Sequence, residues 1–401
     1  MKKVLALILA LTMVLAFAAC AGKTEPATDT DAAQPADETT AAEPVEVTGD
    51  YKVAMITDYG DITDQSFNQT TYEACKEFCG ANGVDFTYFK PASDSDEDRV
   101  AMIESAIDEG YNVVVLPGYA FGAAIRETAE PNPDVKFIAL DVSAGDLGEG
   151  YEVPANLYCA VYQEELCGYM AGYAAVKLGY TKLGFLGGMA VPAVIRYGYG
   201  FVQGADAAAA ELELTDVAIN YAYGNQFFGD ADITAAMDTW YQGGTQVVFA
   251  CGGGIYTSAV DAAKKVEGAK VIGVDVDQAA TIAAYAAGDD GNADDYADLT
   301  VTSAMKGLAP TVKTMLTAVV SGNFGEYGGK VDNLGLVSEN PDENYVQLAG
   351  STQFADGFTA EDYAALTAKL FNGEITVSND ISVEAADNAK TVAVTYLGNI
   401  K

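Results

Sequence analysis

Lys52-Val53-Ala54-Met55-Ile56-Thr57-Asp58 is a short apolar run that stops on a carboxylate, and Ser66 to Cys79 behind it has helical spacing. The same alternation continues down the chain. Val84–Phe89, Asn112–Leu116 and Val135–Leu140 read as strands, and 96–109 and 121–130 read as the helices between them. It then restarts, with strands at Lys182–Leu186, Asp216–Tyr221, Gln246–Ala250 and Lys270–Val274. Helices are expected at Val194–Leu212, Ile233–Tyr241 and Ile255–Val266. Strands alternating with helices predict an α/β fold in which parallel sheets carry helices on both faces. Two restarts predict two such lobes, and 401 residues suffice for them at roughly 100–200 residues per domain.

Ligands of such sheets bind beyond the carboxyl ends of the strands. Here those ends carry Asp58, Gly118, Asp141, Gly187-Gly188, Gly252-Gly253-Gly254 and Asp275. Facing strand ends make a cleft between the lobes.

Composition narrows what the cleft can do. There are 21 Lys+Arg against 58 Asp+Glu, a net charge of −37, and no histidine. So acidic a surface repels phosphate backbones and anionic headgroups, so neither a nucleic-acid partner nor electrostatic membrane binding is expected. Without histidine there is no Ser-His-Asp triad, no HExxH zinc site and no imidazole proton shuttle.

The first residues read as an address. Lys2 and Lys3 precede an apolar run from Val4 to Phe17, then Ala18-Ala19-Cys20. The run is short for a membrane span, which needs ~20 apolar residues, and it has the layout of a secretory signal. Phe17-Ala18-Ala19-Cys20 resembles a bacterial lipoprotein box, which implies a signal peptide over 1–19 and lipidation of Cys20. Residues 21–50 contain eight acidic residues and no aromatic, Leu or Ile. Such a segment is expected to be a disordered acidic tether, with a span of about 30 Å. Of the remaining cysteines, Cys75 and Cys79 lie four apart in a helix, but no histidine or second pair completes a metal site. All five, with Cys159, Cys167 and Cys251, are expected to be buried or reduced thiols, and no metal or cofactor is expected.

The densest motif is Thr57-Asp58-Tyr59-Gly60-Asp61-Ile62-Thr63-Asp64-Gln65-Ser66-Phe67-Asn68-Gln69. Asp64 or Ser66 can cap the following helix, but capping does not explain an exposed Phe67 beside Asn68, which point to a ligand. The glycines of Gly187-Gly188-Met189-Ala190-Val191-Pro192 and of the helix after it fit neither GxGxxG nor GxxxxGK[ST], and close helix packing suits the later ones. Gly252-Gly253-Gly254 lacks a following lysine and is expected to let backbone approach a neutral ligand. Asp275-Val276-Asp277 offers a pair of carboxylates, but no second carboxylate cluster completes a metal site, so one carboxylate accepting hydroxyls is preferred to a metal pair. Phe227-Phe228-Gly229-Asp230 puts two aromatics on a loop that faces the cleft.

The lipoprotein start, Asp58-x-Gly-x-x-x-Asp-x-Ser-Phe-Asn-Gln69, Gly-Gly-Met-x-Val-Pro, Gly252-Gly-Gly and Gly273-Val-Asp-x-Asp-Gln278 together resemble the basic membrane protein family of ABC-importer solute receptors, over about 51–375. The best-understood branch of that family binds purine nucleosides. The resemblance implies a type I periplasmic-binding-protein fold with a three-segment hinge. Lobe 1 would be 51–158 plus about 304–328, and lobe 2 about 159–303 plus 329–401. It also implies that Phe67 and Phe228 sandwich a base and that Asp58, Asn68 and Asp141 read its polar edge. Gly253, Asp275 and Lys306 would hold the ribose. The loop Asn225-Gln-Phe-Phe-Gly-Asp230 departs from the family's Ser-Phe-x-Asp, so Phe227 and Phe228 compete for the stacking position. Arg196 and Tyr197 are further cleft candidates, and residues after about 375, Thr391–Leu397 among them, have no counterpart. The expectation is an extracytoplasmic, lipid-anchored receptor that is not an enzyme and delivers its ligand to an ABC permease and its ATPase. The alternatives are a receptor of the same fold for a sugar or other solute, and a nucleoside-hydrolysing enzyme built on carboxylates.

Overall fold

The computed structural model describes residues 45–58, 60–289 and 291–401. Cys20 and the tether as far as residue 44 lie outside the described residues. The last residues of the expected tether do not behave as disordered chain. The Val45 amide donates to Asn82 Oδ1 at 2.8 Å, and the Thr48 amide and hydroxyl both donate to the Val320 carbonyl at 2.8 and 2.9 Å. Val45 packs on the apolar core, so the folded part begins before the first strand.

The chain then alternates strand and helix, with more elements than the sequence reading singled out. The first half runs β1 (Lys52–Ile56), α1 (Phe67–Asn82), β2 (Asp85–Phe89), α2 (Asp96–Asp108), β3 (Val113–Pro117), α3 (Gly122–Thr128), β4 (Lys136–Leu140), α4 (Ala144–Leu147) and β5 (Leu157–Tyr162). The second runs α5 (Glu164–Lys177), β6 (Lys182–Gly187), α6 (Pro192–Glu211), β7 (Ala218–Tyr223), α7 (Ala231–Gln242), β8 (Val247–Cys251), α8 (Tyr256–Ala263), β9 (Lys270–Asp275), α9 (Ala279–Ala287) and β10 (Thr300–Lys306). After these come α10 (Leu308–Val320), β11 (Lys330–Leu334), β12 (Val346–Leu348), α11 (Ala360–Phe371) and β13 (Ala393–Asn399).

One sheet has the order β11-β5-β4-β3-β1-β2, and the other β12-β10-β9-β8-β6-β7-β13. Every pair is parallel except β10 with β12. Central strands are apolar on both faces because each face meets helices. In β8, Val247 and Phe249 enter one core cluster while Val248 and Ala250 enter another on the opposite side, as a period of two requires.

The chain crosses between lobes slightly later than expected. β5 stays in the first sheet to Tyr162, and β10 stays in the second to Lys306. β11, which the expected boundaries gave to lobe 2, pairs with β5 in lobe 1. A parallel strand completes its ladder before the chain can leave the sheet, so the crossings fall after the last paired residue.

Helices α5 and α6 approach so closely that side chains are excluded at their contact. A Cβ on Gly168, Gly172, Gly200 or Gly204 would lie 1.9–2.2 Å from a carbonyl oxygen of the facing helix. That accounts for Gly200 and Gly204 of α6 as helix packing, while Gly198 lies against Tyr221 and Phe185 of the sheet.

Residues after the family-like region form an added edge. β13 pairs with the outer side of β7, and the approach to it is tied to α6. Asp206 Oδ1 accepts the amides of Lys390, Thr391 and Val392 at 2.9, 2.5 and 2.9 Å. Gln203 exchanges two hydrogen bonds with Ser378, and Tyr199 donates to the Val383 carbonyl at 2.7 Å. Asp206→Ala leaves three amides without their acceptor, a loss of about 1–3 kcal/mol. It is expected to lower the thermal midpoint by a few degrees and to make the segment after 377 the first one cut in limited proteolysis.

Candidate functional site

Asp58, Asp141 and Asp275 stand just past β1, just past β4 and at the end of β9, and Lys306 ends β10. Parallel strands deliver their carboxyl ends to one side, so the two sheets present these residues to a shared cleft of about 670 Å³. All eight residues singled out from the sequence line it: Asp58, Phe67, Asn68, Asp141, Phe228, Gly253, Asp275 and Lys306. Arg196, Tyr197 and Phe227 line it as well.

Lys306 is the centre of the charge arrangement. Its Nζ lies 2.5 Å from Asp141 Oδ2, 3.5 Å from Glu164 Oε1 and 3.7 Å from Asp275 Oδ1. It also sits 4.8 Å from the Phe67 ring centroid, a cation–π distance. Burial works against its charge, but Asp141, Asp275 and Glu164 outweigh this and hold its pKa above the ordinary lysine value. Burial pushes Asp141 up to about 6; Lys306 pulls it down, while Glu164 and Asp275 add to the rise. Glu164 is fully buried and takes Arg196 Nε at 2.7 Å on its other oxygen.

The backbone is held in unusual geometry here. Among the described residues, five non-glycines have positive φ, and Asp141 (57°), Asn225 (59°) and Asp275 (66°) line the cleft. Gln65 (56°) makes a contact between lobes. L-residues rarely adopt this region, and it concentrates at functional positions.

The motif after β1 divides its work differently from the expectation. Asp64 is the cap: its carboxylate accepts the amides of Ser66, Asn68 and Gln69 at 2.9–3.1 Å. Ser66 is thereby released for another task, and its hydroxyl donates to Asp275 Oδ2 at 2.6 Å across the cleft. Gln278 Nε2 donates to the Gln65 carbonyl at 3.1 Å, and Thr281 to the Gln65 side chain at 3.2 Å. The lobes are in contact through these bonds. Phe67 is half-buried beneath Lys306 rather than exposed, and Asn68 is buried. Asn68 Nδ2 donates to Asp58 Oδ1 at 3.1 Å and to Asp64 Oδ2 at 3.0 Å.

The two loop aromatics have separate jobs. Phe227 is wedged among glycines, since a Cβ on Gly188 or Gly252 would stand 2.4 or 2.8 Å from its ring, and one on Gly253 would stand 2.8 Å from its carbonyl oxygen. The glycines at 252–253 make room for this residue and also line the cleft. Phe228 is 61% exposed at the cleft wall. Asp230 closes the loop, capping α7 through the amides of Asp232 and Ile233 and pairing with Lys401.

Sequence reading missed Glu164 and Ser66. Glu164 stands immediately past β5, at the first crossing, where a run of Glu164-Glu165 looks like an ordinary acidic helix start. Only its complete burial sets it apart. The five cysteines Cys75, Cys79, Cys159, Cys167 and Cys251 are free and buried, and burial pushes Cys79 and Cys159 up to about 12. Among the described residues no group of three or more Cys, Asp or Glu side chains is placed to hold a metal.

Two parallel-sheet lobes around a ligand-sized cleft, with three chain crossings between them, define a two-lobed solute-binding protein. A family model described as ABC transporter substrate-binding protein PnrA-like (Bmp) matches residues 51–376, and the chain belongs to this family. The nucleoside-binding protein BmpA of an ABC transporter in Lactococcus lactis subsp. cremoris is 32% identical over 249 residues, 58% of this chain and 66% of that one. The match thus spans just under two thirds of that relative. A CD4+ T-cell-stimulating antigen of Listeria monocytogenes is 29% identical over 310 residues, 73% of this chain and 81% of the antigen. Basic membrane protein A of Borreliella burgdorferi is 27% identical over 341 residues, covering 83% and 89%. The fold is shared with a solute-binding protein of Aeropyrum pernix K1 (TM-score 0.65, 20% identity, 82% of this chain and 94% of that one). It is shared too with one from Conexibacter woesei (TM-score 0.60, 24% identity, 82% and 99%).

Beside the cleft cluster, Glu165 is 4% exposed and its Oε2 has no partner. Burial pushes it from an ordinary 4.5 up to about 7. Between about pH 4.5 and 7 the folded chain therefore holds a proton that the unfolded chain has lost, and stability falls as pH rises through that window. The penalty above it is about 3 kcal/mol. Glu165→Gln, neutral at every pH, is expected to raise stability at pH 8 by up to that amount and to change little at pH 4; urea melts at the two pH values check it.

Proposed function

We propose that the protein is a lipid-anchored, extracytoplasmic receptor that binds a purine nucleoside between its lobes and delivers it to an ABC permease by hinge closure. The observation that carries this reading is the convergence of Phe67, Phe228 and the polar set Asp58, Asn68, Asp141 and Asp275 on one cleft. A nucleobase is a flat apolar plate with a polar rim, and the ribose diol donates well to carboxylates. In this reading Phe67 and Phe228 stack on the base, Asp58, Asn68 and Asp141 meet its edge, and Gly253, Asp275 and Lys306 hold the ribose. Lys306 also holds the carboxylates of Asp141 and Asp275 in place.

The cleft disfavours nucleotides. Asp61, Asp94 and Asp146 add to its acidic lining, while the lining cations Lys306, Arg196 and Lys90 are paired with carboxylates. A phosphate would meet repulsion. The name of the Lactococcus relative, a nucleoside-binding protein, supports the same ligand class.

Calorimetry with guanosine, inosine, adenosine, ribose, free bases and nucleoside monophosphates tests this. Nucleosides are expected to bind intact and their monophosphates more weakly. Phe228→Ala is expected to weaken nucleoside and free base alike by roughly 10- to 100-fold, the usual range for base–aromatic stacking. The residue is exposed, so the substitution leaves the fold in place. Binding of a sugar with no nucleoside binding below about millimolar would overturn the ligand assignment, and release of free base would make the protein an enzyme.

Among the described residues no helix is long and apolar enough to cross a membrane. Membrane attachment in this reading comes from Cys20. Cys20→Ala is expected to lose the acyl mass and appear in the soluble fraction, and an unacylated wild-type chain retained on membranes would contradict the anchor.

A further inference from the structure

The bonds that join the lobes are of two kinds. Ser66 reaches Asp275, a residue of the cleft lining, so that bond and a ligand share a partner. Gln65, Gln278 and Thr281 meet one another instead, and among the described residues none of the three lines the cleft.

Each side of the contact is set in place by its own lobe. Gln65 has a left-handed backbone (φ 56°), which costs an L-residue energy and needs support. Gln69 supplies it: its Oε1 accepts both the amide and the Nε2 of Gln65, at 3.0 and 2.8 Å. The carbonyl and Oε1 of Gln65 are the groups presented to the other lobe. Opposite them, Gln278 is fully buried just before α9. Its Oε1 accepts the Val274 amide at 2.9 Å, and its own amide donates to Ser303 Oγ at 3.1 Å. The side chain is thereby fixed, with Nε2 donating to the Gln65 carbonyl at 3.1 Å. Thr281, in α9, adds its hydroxyl to Gln65 Oε1 at 3.2 Å. Groups held ready in this way lose little freedom when they meet.

These two bonds exist only while the lobes are together, and no ligand atom takes part in them. They therefore stabilise the closed arrangement equally, whatever the cleft holds. We propose that Gln65, Gln278 and Thr281 form a ligand-independent latch that biases the chain toward its closed form and sets the release rate of every ligand. The inference rests on the hinge-closure reading above and goes beyond it by naming residues outside the cleft that hold the lobes shut. Release requires opening, so weakening the latch multiplies all release rates by one factor. Loss of a lining residue affects different ligands unequally.

Stopped-flow release of guanosine, inosine and adenosine, together with small-angle scattering, tests the latch. Thr281→Val keeps the shape of the side chain and removes one donor. Thr281→Trp places a wedge at the same contact. The site is half-buried on α9, and a melting curve checks that both variants fold. Thr281→Val is expected to release all three nucleosides faster by a common factor, roughly 3- to 10-fold. Without ligand, Thr281→Trp is expected to have a larger radius of gyration than the wild type. A merely structural role would lower the melting midpoint and leave release and radius unchanged. Unchanged release, or factors that differ among the three nucleosides, would overturn the latch while leaving the nucleoside receptor intact. Equal radii for unliganded wild type and Thr281→Trp would overturn it too, and scattering decides this even if no nucleoside binds. A radius that responds neither to Thr281→Trp nor to guanosine would overturn hinge closure itself, and the latch with it.

Discussion

A lysine ammonium buried between two sheets must be surrounded by negative charge, and the cleft is organised around that requirement. Lys306 ends the last parallel strand of one lobe and meets Asp141 from the other lobe, Asp275 from its own and Glu164 from the first crossing. Removing such an ion from water costs several kcal/mol unless it is paired and hydrogen-bonded. Three carboxylates would repel one another without it. The cluster is stable only as a whole, and it joins the strand ends of both sheets to two of the three crossings. Arg196 extends it by pairing with the second oxygen of Glu164.

The apolar side of the cleft depends on close backbone approach. The glycine contacts of α5 and α6 bring Glu164 and Arg196 within reach of each other from adjacent helices. Glycines at 188, 252 and 253 leave a slot that Phe227 fills, and this presents the following residue, Phe228, to the cleft. The C-terminal segment bears on the same loop from outside. The Ile400 amide donates to the Tyr223 carbonyl, and Lys401 pairs with Asp230. A strand added beyond the family-matched region thus ends against the loop that carries the cleft aromatics.

The architecture was legible in the sequence because it depends on local patterns. Apolar runs such as Val53–Ile56 and Val247–Ala250 alternate with helical spacing, and parallel strands send their carboxyl ends to one side. Those two facts suffice to place Asp58, Asp141 and Asp275 at a common cleft, and the family resemblance added Lys306. Motif spelling added Phe67, Asn68, Phe228 and Gly253.

What tertiary structure alone decided is which groups meet, and that changes their roles. Asp64 and Ser66 were equivalent as caps in sequence; the approach of Asp275 from the other lobe gives Ser66 a different partner and leaves the capping to Asp64. Glu164 looks like any acid at a helix start until its burial against Lys306 and Arg196 is seen. The glycines at 252–253 leave the room that Phe227 takes, and β11 joins the first sheet. Each of these depends on contact between residues far apart in the chain. Periodicity and composition report a residue's own neighbourhood, so they determine elements and their order, while the partners of a buried charge or hydroxyl are set only when distant elements pack.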